Sequence, residues 1–496
     1  MDVILAIDAG TTGVRSLLID KGGKVIDSSY KEFTQYFPRI GWVEHDPTEI
    51  WESVQSTITD VLKGSNNNPV AIGVTNQRET VVVWDKNTSK PLYKALVWQD
   101  RRSSDRCVEL SNQGLLPLVR KSTGLVLDPY FSATKIEWLI NEAGISTKDH
   151  VAFGTIDSWI LWNLTNGSVF ATDPTNASRT MLFNIHEMQW DSELLQIFGV
   201  EEHNLPEVLP SSGYFGSTSE IAACGAGIPI TGIAGDQQAS LFGQAAFSIG
   251  DAKNTYGTGS FILMNVGNEC PEPVDGILST IAWTIDNNES VSTTYALEGS
   301  IFATGAAVQW LRDGLGIINE ASELETLALE CETTGDVYFV PAFAGLGSPW
   351  WDPYARGILI GLTRGTAQPE IARAAIESMV FQTRDVIDAM RSGSGRELKS
   401  LRVDGGASVM NLLLELQADQ LQVPVSRPLV HEMTALGVAY LAGLSHGFWD
   451  SLNEISKLWR LDYKADPSEI TTEENNGYRK WGKAVQRSRN WADTEN

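Results

Sequence analysis

Three short turns carry the residue types that a phosphate group needs: Asp8-Ala-Gly-Thr-Thr, Tyr256-Gly-Thr-Gly-Ser and Asp404-Gly-Gly-Ala-Ser. Glycine beside Thr or Ser at the end of an apolar run exposes backbone N–H groups and hydroxyls with no bulky side chain in the way. Asp8 would offer hard carboxylate oxygens to Mg2+ in such a site; the competing reading is an Asp that caps its own turn. Asp236, in Gly232-Ile-Ala-Gly-Asp-Gln-Gln, is a lone acid between Ile221 and Asp251. Desolvation there would raise its pKa toward that of a general base, or else it caps the helix running through Leu241.

Arg78 and Glu79, in Thr75-Asn-Gln-Arg-Glu-Thr, set a donor fork beside an acceptor pair, which suits vicinal hydroxyls and equally suits a solvated strand end. Trp98, Tyr130 and Phe261 offer apolar walls and a phenolic hydrogen bond, although any one of 16 tryptophans is ordinarily core.

These groups need a scaffold. Val3 to Ile7, Val14 to Ile19 and Lys24 to Tyr30 read as strands joined by tight turns. Asp46-Pro47-Thr48-Glu49 supplies an N-cap, a first-turn proline and an acid, with Ile50, Val54, Ile58 and Val61 at helical spacing, so a helix of about four turns follows. Pro69 to Thr75 and Thr80 to Trp84 return as strands. Further helices begin at Ser132 and near Pro369, the second carrying Ile376, Met379, Val380, Thr383, Ile387 and Met390. This order suits a sheet with helices packed on it, an α/β or α+β fold, and the turns form only a faint internal echo.

At 496 residues the chain is long enough for roughly two to four domains, and 42% hydrophobic residues will build a core. The 62 acids against 37 bases give a net charge of −25, which repels phosphodiester backbones and anionic membranes, whether it serves solubility or adaptation to salt. Four scattered cysteines and six histidines form no CxxC or HExxH pattern, so neither a disulfide framework nor a zinc site is expected. The uncharged stretch Ile221 to Gly235 is shorter than the ~20 residues of a span and is broken by Pro229, so it reads as a buried strand and turn. The N-terminus has no basic leader, and the protein is expected in the cytoplasm. With no GxxxxGK[ST], HRD or DFG element, any nucleotide must use another cradle.

Taken in order, Asp8-Ala-Gly-Thr-Thr, Asn76-Gln-Arg-Glu-Thr, Val97-Trp-Gln-Asp-Arg-Arg, Asp128-Pro-Tyr-Phe-Ser-Ala-Thr-Lys, Thr172-Asp-Pro-Thr-Asn-Ala-Ser-Arg-Thr-Met, Gly235-Asp-Gln-Gln, Tyr256-Gly-Thr-Gly, Gly345-Leu-Gly-Ser-Pro-Trp-Trp-Asp-Pro-Tyr-Ala-Arg-Gly and Asp404-Gly-Gly-Ala make a set that resembles the FGGY carbohydrate kinases, over nearly the whole chain. The resemblance is strongest to the members that phosphorylate glycerol. It implies two actin/hexokinase-like (ribonuclease H-like) α/β domains about a catalytic cleft that closes to exclude water, divided here as 1–247 on the polyol side and 248–496 on the nucleotide side.

The resemblance further implies ATP-dependent phosphorylation of glycerol to sn-glycerol 3-phosphate by a homodimer or homotetramer, with Mg2+ near Asp8 and Asp236. Asp236 would be the general base, and Arg78, Glu79, Trp98, Tyr130, Asp236, Gln237 and Phe261 the polyol site, Gln237 also supporting the nucleotide side. Thr11, Thr12, Gly13, Arg15, Thr258, Gly305, Gln309, Ala407 and Asn411 would meet ATP. Many glycerol-phosphorylating members have more hydroxyls at the first turn, where this chain has Ala9, Gly13 and Val14. Cys224-Gly-Ala-Gly-Ile-Pro stands where some bacterial relatives bind a sugar bisphosphate inhibitor, so that inhibition is not expected, and Ser211-Ser-Gly-Tyr-Phe-Gly lacks the histidine that others have phosphorylated. A kinase for another small polyol or ketose, or a non-catalytic sugar or nucleotide sensor, are the alternatives.

Overall fold

The computed structural model describes residues 1–64, 66–287, 289–469 and 472–492, so the last residues of the expected second domain, 493–496, lie outside the described residues. Val3 to Ile7 has no polar face to turn to water, and such a run must be covered on both sides. It forms strand β1 (Asp2–Ala9), with Val3 through Ile7 fully buried. Strands β2 (Gly13–Ile19) and β3 (Val25–Glu32) follow as an antiparallel meander. Asp46 caps helix α1 (Pro47–Leu62) by accepting from the Thr48 N–H at 2.8 Å, and Ile50, Val54, Ile58 and Val61 face the sheet. The helix is the crossover that a parallel neighbour requires, and β4 (Asn68–Asn76) lies parallel to β1.

A long excursion from Gln77 to Pro229 then adds α2 (Ala133–Asn141) and α3 (Pro174–Ala177) among other elements, before β5 (Ile230–Gly235) pairs parallel with β4 and runs into α4 (Asp236–Gly243). The first sheet has the order β5-β4-β1-β2-β3.

The second sheet repeats this plan. Strands β6 (Asp251–Tyr256), β7 (Ser260–Gly267), β8 (Leu278–Asp286) and β9 (Val291–Ile301) are followed by helix α5 (Gly305–Gln309) and the long α6 (Gln368–Ser394). Then come β10 (Ser400–Gly405), α7 (Asn411–Leu421), β11 (Val425–Pro428), α8 (Met433–His446) and β12 (Leu461–Ala465), and the sheet order is β8-β9-β7-β6-β10-β11-β12. As β1 pairs antiparallel with β2 and parallel with β4, so β6 pairs antiparallel with β7 and parallel with β10. The sequence's faint echo of three turns is therefore a duplication of topology.

Alternation splits the first sheet's core. Val3, Leu5 and Ile7 pack with α1, while Ile4 and Ala6 join Ala239 and Phe242 of α4, Val438 of α8 and Leu263 of β7 in a cluster between the two sheets. Helices α4 and α8 touch backbone to backbone. A Cβ on Gly437 would lie 1.7 Å from the Ala239 carbonyl oxygen and one on Gly243 2.0 Å from that of Met433, so only glycine permits this approach. Among the described residues no helix is long and apolar enough to cross a membrane, and Ile230 to Gly235 of the uncharged stretch is the buried strand β5.

Candidate active site

Strands β1, β4 and β5 are parallel, so their C-terminal ends fall in a row, with Asp8 opposite Thr75 and Gly235 opposite Asn76. In open α/β sheets the crevice beyond such ends is where ligands bind. Asp8, Gln77-Arg78-Glu79 and Asp236 all emerge there.

Gly235 takes the N-cap position of α4 and Asp236 is its first residue, not its cap. Asp236 Oδ1 accepts from the Gln237 N–H at 2.8 Å, and its side chain keeps 32% of its surface at the cleft floor. Burial raises its pKa, and Arg78 and Lys253 oppose that rise. Asp8 is pushed up to about 7, first by burial and then by the charge of Asp236, with Arg15 opposing. Two mutually repelling carboxylates of hard oxygen fit Mg2+, which keeps several waters and takes phosphate oxygens in place of a protein cage.

Arg78 is no solvated strand end: its side chain is 2% exposed. Its Nη1 and Nη2 both donate to Glu298, at 2.6 and 2.9 Å, Nη2 reaches Tyr130 Oη at 3.3 Å, and Nε lies 3.3 Å from Asp236 Oδ1. Glu79, in a left-handed conformation at φ 61°, accepts from Arg179 Nε at 2.8 Å. That backbone costs a non-glycine residue of order 1 kcal/mol and is held here by the buried ion pairs. A Cβ on Gly235 would sit 2.6 Å from Arg78 Cγ, so glycine lets the arginine stem lie on the β5 backbone.

Trp98 and Tyr130 meet edge to face with ring centroids 5.6 Å apart, and Trp98 Nε1 donates to Thr11 Oγ1 at 3.0 Å. The Lys135 ammonium, bound to the carbonyls of Pro129, Tyr130 and Phe131, fastens the loop that carries Tyr130. Phe261 sits on β7 between Thr255 of β6 and Ser300 of β9.

The first turn is braced from beneath. Gln77 Nε2 donates to the Gly10 carbonyl and Gln35 Nε2 to that of Thr11, each at 2.9 Å. The buried His45 ring lies between these two amides, with Nε2 2.7 Å from Gln35 Oε1 and Nδ1 3.3 Å from Gln77 Nε2. Thr12 Oγ1 is 3.1 Å from Tyr30 Oη, Gly13 opens β2, and Arg15 pairs with Glu432.

On the second domain the Thr258 carbonyl accepts from the Thr304 and Ala306 N–H groups at 3.0 Å, and Gly305 and Gln309 are the first and last residues of α5. Ala407 lies in the turn after β10, and Asn411 starts α7 and accepts from Arg427 at 3.2 Å. Among the described residues no hydrogen bond is seen between Thr258, Gly305, Gln309, Ala407 or Asn411 and the Asp236 cluster. Asp404, at the end of β10, ties the two halves by accepting from Ser240 Oγ at 3.1 Å and Gln244 Nε2 at 2.7 Å.

Four charged or polar residues of this centre escaped the sequence reading as individuals: Glu298, Arg179, Lys253 and Gln238. Lys253, fully buried on β6, donates to Gln237 Oε1 and is drawn down to about 8 by burial against the pull of Asp404 and Asp236. Gln238 Oε1 accepts from Arg78 Nη1 at 3.2 Å. Glu298 is the one charged residue of β9, which was the available signal for it, whereas Lys253 shares β6 with Asp251, Asn254 and Thr255 and gave no such signal.

A duplicated sheet plan, with a small-residue turn closing a strand in each half, defines a two-domain α/β fold. The chain belongs to the FGGY family of carbohydrate kinases, whose N-terminal domain model matches residues 3–243 and whose C-terminal domain model matches residues 252–446. It is 53% identical over 497 aligned residues to a glycerol kinase of Caldanaerobacter subterraneus subsp. tengcongensis, with 99% of each chain covered. It is 52% identical to glycerol kinase 2 of Thermotoga maritima, again over 99% of both. Among solved structures it resembles Plasmodium falciparum glycerol kinase with ADP, at a TM-score of 0.93 and 37% identity over 98% of each chain.

Proposed function

We propose that this chain transfers the γ-phosphoryl group of ATP to glycerol, giving sn-glycerol 3-phosphate and ADP. The observation that carries the reading is Asp236 at the cleft floor, flanked by Arg78 and Asp8, in a chain related over its full length to glycerol kinases. Arg78, Glu79, Trp98, Tyr130 and Phe261 hold the polyol, Asp236 accepts the proton of its terminal hydroxyl, and the freed oxygen attacks the γ-phosphorus in line as ADP leaves. Thr11, Thr12, Gly13 and Arg15 receive the phosphates from one side, and Thr258, Gly305, Gln309, Ala407 and Asn411 hold the nucleotide from the other, with Gln237 beside the base. Asp8 and Asp236 would hold Mg2+, which would neutralise charge on the phosphate oxygens.

The reading divides the chain at 247/248, between α4 and β6, and includes a homodimer or homotetramer working in the cytoplasm. Its test is glycerol-dependent release of ADP by the purified protein in Mg2+ and ATP. Release driven instead by another polyol replaces the substrate, and silence on every polyol removes the reading.

A further inference from the structure

Glu298 lies on β9 in the second domain, is fully buried, and belongs to neither the phosphate turns nor the row of strand ends. Its carboxylate nevertheless reaches into the first domain's site and grips both terminal nitrogens of Arg78, at 2.6 and 2.9 Å. The same carboxylate accepts from Arg179 Nη2 at 3.0 Å, Arg179 Nε donates to Glu79 at 2.8 Å, and Glu79 lies 3.7 Å from Arg78 Nε. The four side chains thus close a ring of alternating charge: Arg78, Glu298, Arg179, Glu79. Burial alone would raise the Glu298 pKa, yet Arg179 and Arg78 together carry it down to about 2, whereas at Glu79 burial outweighs the same two arginines and the pKa is raised.

A bidentate grip fixes the plane of a guanidinium as well as its position. With Nη1 and Nη2 both held by Glu298, Arg78 sets its Nε beside Asp236, and the second hydrogen of Nη2 reaches Tyr130. We propose that Glu298 is a positioning residue of the polyol site, acting through Arg78 to hold the acceptor-binding edge of the first domain in register with the second domain's sheet. The inference rests on the reading of this cleft as a glycerol-phosphorylating site. Loosening Glu298 frees Arg78 to turn its fork onto Asp236, which misplaces the polyol's partner and leaves the nucleotide turns untouched.

The test uses the full chain as wild type, Glu298→Gln and the double variant Glu298→Gln/Arg179→Gln. The double variant restores the charge balance of the ring and folds where the single one is too unstable. The expected result, in both variants, is a glycerol KM raised about tenfold or more while the ATP KM stays within about twofold. The thermal midpoint should fall in the single variant and recover in the double one, with the glycerol KM still high. A glycerol KM equal to the wild type's in either folded variant, or one that recovers together with the midpoint, overturns the inference by reducing Glu298 to charge balance. A wild type that releases no ADP with any polyol overturns the functional reading first, and the inference with it.

Discussion

Arg78 Nε lies 3.3 Å from Asp236 Oδ1, so the carboxylate proposed as the base has a guanidinium set against one of its oxygens. Burial pushes Asp236 toward the neutral acid and Arg78 pulls it back toward the ionised base. The proposed role asks a base to be ionised when substrate arrives and still basic enough to take a proton, and the two influences act in those opposite directions.

Removing the arginine therefore has a cost beyond the site. In Arg78→Met two buried carboxylates, Glu298 and Glu79, would share Arg179 alone. Unfolding free energy should fall by about 3–5 kcal/mol in chemical denaturation, because an unpaired buried charge is left behind. Arg78→Lys should recover part of it, since a lysine keeps the charge without the two-pronged grip. A loss below about 1 kcal/mol in Arg78→Met would show the ring to be weakly coupled.

His45 gives a pH dependence of stability. Burial draws its pKa from 6.5 down to about 4, with Glu49 opposing. A depressed folded-state pKa means that the stabilisation is complete above about 6.5 and is lost as pH falls through about 4. Between pH 7 and 4 the wild type should lose up to about 3 kcal/mol more than His45→Gln, which cannot titrate. Parallel denaturation curves for the two proteins across that range would contradict the brace.

Gly437 tests whether helix packing places the base. With the Ala239 oxygen 1.7 Å from where a Cβ would stand, Gly437→Ala must push α8 off α4, whose first residue is Asp236. Stability should fall by about 1–3 kcal/mol or more, with a drop in kcat measurable at temperatures where the variant is folded. Full kcat in the folded variant would uncouple the helix from the chemistry.

The proposed function has Asp8 hold Mg2+, and free Mg2+ titrated at saturating ATP tests that role. Asp8→Asn should raise the half-maximal Mg2+ concentration roughly tenfold or more. An unchanged Mg2+ dependence beside a lowered kcat would give Asp8 another role.

Much of the scaffold was legible because its signals are local. The β1-β2-β3 meander and α1 follow from apolar runs, a turn and the Asp46-Pro47 start, and the structure repeats them. The charged heart of the site is another matter. Arg78 and Glu79 read equally as a polyol fork or a solvated strand end, and the choice is made by Glu298 and Arg179, which lie 220 and 101 positions away from Arg78 along the chain. Those partners arrive only through the sheet topology, which no local pattern encodes. Asp236 shows the limit on a finer scale: its sequence context allows a helix cap, but Gly235 takes that position and releases the carboxylate to the cleft.

The most direct test is ADP release in Mg2+ and ATP with glycerol, dihydroxyacetone, erythritol, xylulose and gluconate, for the wild type and Asp236→Asn side by side, with glycerol binding followed by calorimetry. The account predicts release that depends on glycerol in the wild type and falls by about 10²–10⁴-fold or more in Asp236→Asn, while glycerol still binds the variant. Turnover of glycerol by Asp236→Asn at a rate near the wild type's would contradict Asp236 as the base, and a wild type silent on all five would contradict the catalytic reading itself.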